Sequence, residues 1–171
     1  MWRLGVDIGG VIIERAESDS DTSFFGDDFL RTPPVPGAFE ALAALFDGLF
    51  AGQVQVVSKC SERVERRSRQ WLAHQDFHRR TGIGPERLHF CRTRPEKAPI
   101  AERLGLTHFV DDSPEVLGHL ALLRRRYLFR PEAGGAGVAE APPAGVHLVR
   151  SWSELLAALA DEAGSDGAAR G

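Results

Sequence analysis

The chain has 171 residues, of which 43% are hydrophobic and 26% are charged. These values are typical of one globular domain and exclude a wholly disordered chain. The net charge of −3 argues against a general nucleic-acid binder, and no run approaches the roughly 20 apolar residues of a membrane span. Asp7 interrupts the N-terminal segment before it reaches the length of a signal peptide's apolar region. The two cysteines form no CxxC pair. We therefore expect a cytoplasmic protein without a disulfide framework.

Short apolar runs that end in polar residues predict the strands. They cover residues 2–6, 53–57, 87–91, 107–110 and 126–129, with a last short run at 146–149. Apolar residues at helical spacing predict helices over 37–51, 58–75, 95–104 and 113–123, and a final helix with Ser151 as its N-cap. The irregular segments 11–35 and 131–145 predict loops. We expect one domain over 1–160 and a disordered tail over 161–171.

This alternation predicts an α/β fold, a Rossmann-like parallel sheet of about five strands flanked by helices. In such sheets ligands bind beyond the carboxyl ends of the strands. Polar side chains stand at three of those ends, while a lysine opens the segment before the fourth strand; they are Asp7, Ser58, Asp111, Asp112 and Lys97. We expect these five side chains to converge on one rim. Ser58 is also predicted to cap the helix over 58–75.

Three carboxylates and a lysine on one rim have a definite chemical use. Carboxylate oxygens hold Mg²⁺, which is commonly bound by one or two carboxylates together with a phosphate. A carboxylate also serves as a nucleophile in phosphoryl transfer, forming an aspartyl phosphate. Lys97 would neutralise the nucleophile and the phosphoryl oxygens, and Ser58 would hold a phosphate oxygen. As one of only two lysines in the chain, Lys97 is the stronger candidate, since Lys59 is expected to point outward.

The ordered set of motifs resembles the haloacid dehalogenase-like (HAD) superfamily. The four matching segments are VDIGGVI with Asp7, Gly10 and Val11, VVSKC with Ser58, RPEKAPIAERLG with Lys97, and FVDDSPEVL with Asp111 and Asp112. The resemblance covers residues 2 to about 123. It implies a Mg²⁺-dependent phosphatase that forms an aspartyl phosphate on its nucleophile. The implied roles are catalytic for Asp7 and Lys97, phosphate-binding for Ser58, Gly10 and Lys97, and metal-binding for Asp7, Gly9, Asp111 and Asp112.

The sequence departs from the family pattern at Gly9, where the family has a second aspartate as general acid–base. Gly9 retains the backbone carbonyl that the family uses toward the metal, so the resemblance still implies Mg²⁺ binding. Three readings stay open: the leaving group needs no acid, Glu14 or an acid within 17–28 substitutes, or turnover is lost. The alternative function is therefore an impaired HAD-like module that binds phosphate or a partner without turnover.

The short inserts resemble those of capless HAD members. Neither the loop over 11–35 nor the link from the third strand to Lys97 is long enough to hold a folded cap. An open rim implies a phosphorylated substrate that is large, or a neighbouring chain that serves as a lid. A nucleotide or nucleic-acid 3′-phosphate is a third, weaker hypothesis, and the oligomeric state stays open.

Overall fold

The computed structural model describes residues 1–15, 28–131 and 142–168. Its centre is a six-stranded sheet in the order β3-β2-β1-β4-β5-β6, in which every neighbouring pair is parallel. The strands are β1 Leu4–Val6, β2 Val54–Lys59, β3 Leu88–Cys91, β4 His108–Asp111, β5 Arg125–Phe129 and β6 Val146–Val149. The predicted parallel α/β fold is confirmed, with six strands instead of about five because the short run at 146–149 pairs with β5.

Helices cover both faces of this sheet. They are α1 Ala38–Asp47, α2 Glu62–His74, α3 Phe77–Thr81, α4 Lys97–Arg103, α5 Pro114–His119 and α6 Trp152–Ala168, with 3-10 turns at Phe29–Arg31 and Pro85–Arg87. Buried residues of α1, α2, α3 and α6 form one apolar cluster, and those of α4 and α5 form a second. Successive residues such as Val56 and Val57 join different clusters, because side chains alternate between the faces of a strand.

The strand order places a crevice between β1 and β4. Val6 of β1 pairs with Val110 of β4, and the order of the strands reverses at this pair, where open α/β sheets bind their ligands. Close packing here requires a glycine, since a Cβ on Gly5 would lie 2.4 Å from the ring of Phe109. The residues that follow β1 and β4 therefore meet at the same edge.

Several predicted boundaries change in the structure. Ser58 is not a helix cap: β2 continues through Lys59, and Ser61 caps α2 by accepting a hydrogen bond from the Val64 amide. The short helix α3 was not predicted. The predicted domain end at residue 160 falls inside α6, which continues to Ala168. The predicted loops over 11–35 and 131–145 lie in part outside the described residues. No helix in the described ranges is long and apolar enough to cross a membrane.

Candidate active site

A tight turn after β1 holds Asp7 at the crevice. The Asp7 amide donates to the carbonyl of Val110 at 3.0 Å, which ties the residue to β4. The carbonyl of Ile8 then accepts from three amides on the far side of the turn, those of residues 11–13. The indole Nε1 of Trp152 donates to the carbonyl of Val11 at 2.9 Å, so the last helix also supports this turn. Asp7 is only 7% exposed.

Lys97, the first residue of α4, joins two of the predicted carboxylates. Its Nζ lies 2.8 Å from Asp7 Oδ1 and 2.7 Å from Asp111 Oδ2, and its side chain is almost fully buried. Burial disfavours the ammonium, but the two carboxylates outweigh it and raise the pKa of Lys97 above its ordinary value. The second oxygen of Asp111, Oδ1, accepts from the Ser113 amide at 2.9 Å. Both oxygens of Asp111 are therefore engaged.

Asp112 has a different partner. Its Oδ2 lies 2.9 Å from Nη2 of Arg15, an ion pair in which the arginine side chain is 61% exposed and the aspartate side chain 12%. Gly10, with φ of +74°, passes beside this pair, and a Cβ there would lie 2.3 Å from Asp112 Oδ2. Burial, together with the nearby charge of Asp7, raises the pKa of Asp112 well above its ordinary value. A cation close to Asp112 would favour its ionised form.

The three carboxylates offer oxygens that lie within 4.8 Å of one another. Burial raises the pKa of Asp111 to about 6, and the charge of Asp7 acts in the same direction. The cluster is thus a set of hard oxygen donors whose mutual repulsion a cation would relieve. This chemistry fits Mg²⁺, which prefers carboxylate oxygens and keeps part of its water shell.

The other predicted site residues stand along the same edge. Ser58 is buried in β2, two residues beyond Val56, which is level with Val6 of β1. Gly9 lies in the turn after Asp7, where it forms a backbone bridge with Ile13. The structure therefore brings Asp7, Lys97, Asp111 and Asp112 into mutual proximity. Gly9 and Gly10 follow Asp7 in the same turn, and Ser58 lies near the carboxyl end of the neighbouring strand β2. Of the substitute acids suggested within 17–28, all except Asp28 lie outside the described residues, and Asp28 is exposed.

One charged residue at the site was not predicted. Arg15 lies in a segment that the sequence marks only as a loop, and no local spacing connects it with Asp112. Cys60 and Cys91 are buried, and burial raises the pKa of Cys60 to about 11. At neutral pH this thiol is protonated and is a poor nucleophile.

No protein-family profile and no curated protein sequence match the chain. Solved structures do. A HAD family hydrolase from Deinococcus radiodurans R1, with bound phosphate and sodium, is similar at a TM-score of 0.64 and 16% identity, over 93% of this chain and 95% of that one. A dehalogenase with an intermediate complex is similar at a TM-score of 0.55 and 19% identity, over 80% of this chain and 59% of that one. At these identities the likeness shows a shared fold.

Proposed function

We propose that the chain is a HAD-like, Mg²⁺-dependent hydrolase of phosphate esters with Asp7 as its nucleophile. The observation that carries this proposal is the buried ammonium of Lys97 between Asp7 and Asp111, at the crevice where the strand order reverses. Asp112 lies close enough to Asp7 for the two carboxylates to share one cation. The fold shared with a HAD family hydrolase that contains phosphate supports the same reading.

In the proposed reaction, the carboxylate of Asp7 attacks phosphorus while the bond from phosphorus to the ester oxygen breaks. The leaving oxygen departs as an anion and takes a proton from solvent afterwards. A water molecule then attacks the aspartyl phosphate, the bond from phosphorus to Asp7 breaks, and inorganic phosphate departs with the carboxylate restored. Lys97 orients Asp7 in both steps, and Ser58 is proposed to hold a phosphoryl oxygen. The Gly10 amide already donates to the Ile13 carbonyl at 2.8 Å, so Gly10 shapes the turn beside the phosphoryl group.

The hydrogen bonds support different roles for the two adjacent aspartates. Asp111 has both oxygens engaged, by Lys97 and by the Ser113 amide, so we assign it to positioning the lysine. Asp112, Asp7 and the carbonyl of Gly9 would then hold Mg²⁺. Bound Mg²⁺ would offset the negative charge of the phosphoryl group as it transfers.

The absence of a side chain at Gly9 supports a particular class of leaving group. Since no carboxylate stands two residues after Asp7, no acid from this position protonates the departing oxygen, and such help is worth about 10²–10⁴ in rate. We therefore propose aryl phosphate esters, whose leaving groups depart without protonation. The link from Cys91 to Lys97 is too short for a folded cap, which supports an open rim and a large substrate.

The alternative function is a phosphate-binding module without turnover, and Gly9 is the observation that favours it. Substitution by aspartate separates the two readings. Within the described residues, positive φ values are found at Gly10 but not at Gly9, so Gly9→Asp introduces no left-handed strain. A large gain of turnover in this variant from an inactive wild type would identify a binding module that lacks only its acid.

The decisive assay is Mg²⁺-dependent hydrolysis of a series of phosphate esters whose leaving groups differ in acidity. We expect the wild-type rate to fall steeply from aryl to alkyl phosphates, and Gly9→Asp to reduce that slope. Asp7→Asn should abolish hydrolysis, while Asp47→Asn, an exposed aspartate at the end of α1, should leave it unchanged. Hydrolysis that survives Asp7→Asn, or that ignores Mg²⁺, would contradict the proposal.

A further inference from the structure

The two cations that contact the carboxylate cluster, among the residues described, are held in different ways. Lys97 is buried and bonded to two carboxylates, Asp7 and Asp111. Arg15 makes a single ion pair with Asp112, and 61% of its side chain is exposed. Lys97 is therefore a fixed part of the site, whereas Arg15 is a solvated arm whose ion pair is weak and readily exchanged.

The position of Arg15 conflicts with the assignment of Asp112 to the metal. Its guanidinium binds Oδ2 of the same carboxylate that we assign to Mg²⁺. The bare backbone of Gly10 allows this approach, because a Cβ there would lie 2.3 Å from Asp112 Oδ2 and 3.1 Å from Arg15 Nε. The guanidinium of Arg15 and a bound Mg²⁺ would thus contact the same carboxylate, that of Asp112.

We propose that Arg15 and the divalent cation compete for Asp112. Arg15 is the counter-ion of the metal-free site, and cation binding displaces it toward the rim. There the guanidinium, which pairs well with phosphate oxygens, is placed to receive the substrate's phosphoryl group. This inference rests on the proposed function, and it makes Arg15 a residue that couples metal binding to phosphate binding.

The first test measures Mg²⁺ affinity by calorimetry, without substrate. Removing the competitor in Arg15→Ala should tighten Mg²⁺ binding about 3- to 10-fold, the range expected for a partly exposed ion pair. Arg80→Ala is the matched control, because Arg80 forms a similar ion pair with Glu40 on α1, away from the site. Equal or weaker Mg²⁺ binding by Arg15→Ala would overturn the proposal, as would an equal gain in Arg80→Ala.

The second test follows the guanidinium itself by NMR. The Nε–H resonance of Arg15 should move as Mg²⁺ is added to the wild type, and that of Arg80 should not. In the loaded enzyme, Arg15→Ala should raise KM for the ester more than it lowers kcat. A stationary Arg15 resonance in a protein that does bind Mg²⁺ would overturn the competition alone. A wild type that binds no Mg²⁺ at all would overturn both the competition and the metal-dependent function.

Discussion

Replacing Lys97 by methionine should strongly destabilise the fold at neutral pH. The variant keeps the bulk of the side chain but leaves two carboxylates, Asp7 and Asp111, without the ammonium that lies 2.8 and 2.7 Å from them. Removing one partner of a buried ion pair costs about 3–5 kcal/mol. Lys97 is 1% exposed, so water offers little compensation. We expect a loss of this size in the free energy of unfolding at pH 7.5.

The size of this loss should depend on pH. Burial raises the pKa of Asp111 from its ordinary 3.8 to about 6 in the folded protein. As the pH falls, Asp111 is therefore protonated at a higher pH in the folded state than in the unfolded state. This proton binding stabilises the folded state at low pH, and the stabilisation is lost as the pH rises through about 6. Without Lys97 the pKa of Asp111 rises further, so the loss at high pH becomes larger. The difference between variant and wild type should widen from pH 5 to pH 8.

Urea denaturation followed by tryptophan fluorescence measures the loss of stability and its dependence on pH. A chelator is present to exclude metal. Lys59→Met is the control, since it makes the same change at the partly exposed end of β2 and should cost within about 0.5 kcal/mol. A loss below about 1 kcal/mol for Lys97→Met would refute the role given to the buried ammonium. A loss that is equal at pH 5 and pH 8 would refute the coupling to Asp111.

Three further outcomes follow from the same geometry. Gly10→Ala should cost about 1–3 kcal/mol in urea denaturation, because its φ is +74° and a Cβ would meet Asp112. Gly118→Ala, whose Cβ meets nothing within 4 Å, should cost nothing. Burial lowers the pKa of His108 below 6.5. As the pH falls below 6.5, this histidine is protonated in the unfolded chain but still neutral in the folded protein, so the free energy of unfolding decreases. His108→Gln should flatten this part of a pH–stability curve, and an unchanged curve would contradict the reasoning. Mg²⁺ at 100-fold excess over Kd should raise Tm by about 5–10 °C in scanning calorimetry, and Asp112→Asn should remove the increase.

The core of the site could be predicted because parallel strands bring distant residues to one edge. Asp7 and Asp111 each stand where an apolar run ends, and their strands are neighbours in the sheet. Lys97 could be placed with them because it opens the helix that leads into β4. These arguments need only the period of the apolar residues and the geometry of a parallel sheet.

What could not be predicted depends on contacts rather than on local pattern. The predicted cap at Ser58 was wrong because hydrogen bonding to β3 extends β2 to Lys59. Helix α3 has five residues, too few to show a helical period. The proposed division of roles between Asp111 and Asp112 rests on which carboxylate contacts Lys97 and which contacts Arg15. Because Asp111 and Asp112 are adjacent and identical, the sequence alone does not distinguish their contacts.

The hydrogen bond from the Trp152 indole to the Val11 carbonyl also has a consequence during protein synthesis. It joins positions 141 residues apart, which a ribosome making about 5–20 residues per second adds in about 7–30 s. Throughout that interval the Val11 carbonyl lacks its indole donor. The turn that follows Asp7 is therefore completed late in biosynthesis, and a nascent chain that has not yet emerged past Trp152 holds Asp7 in a turn without its final support.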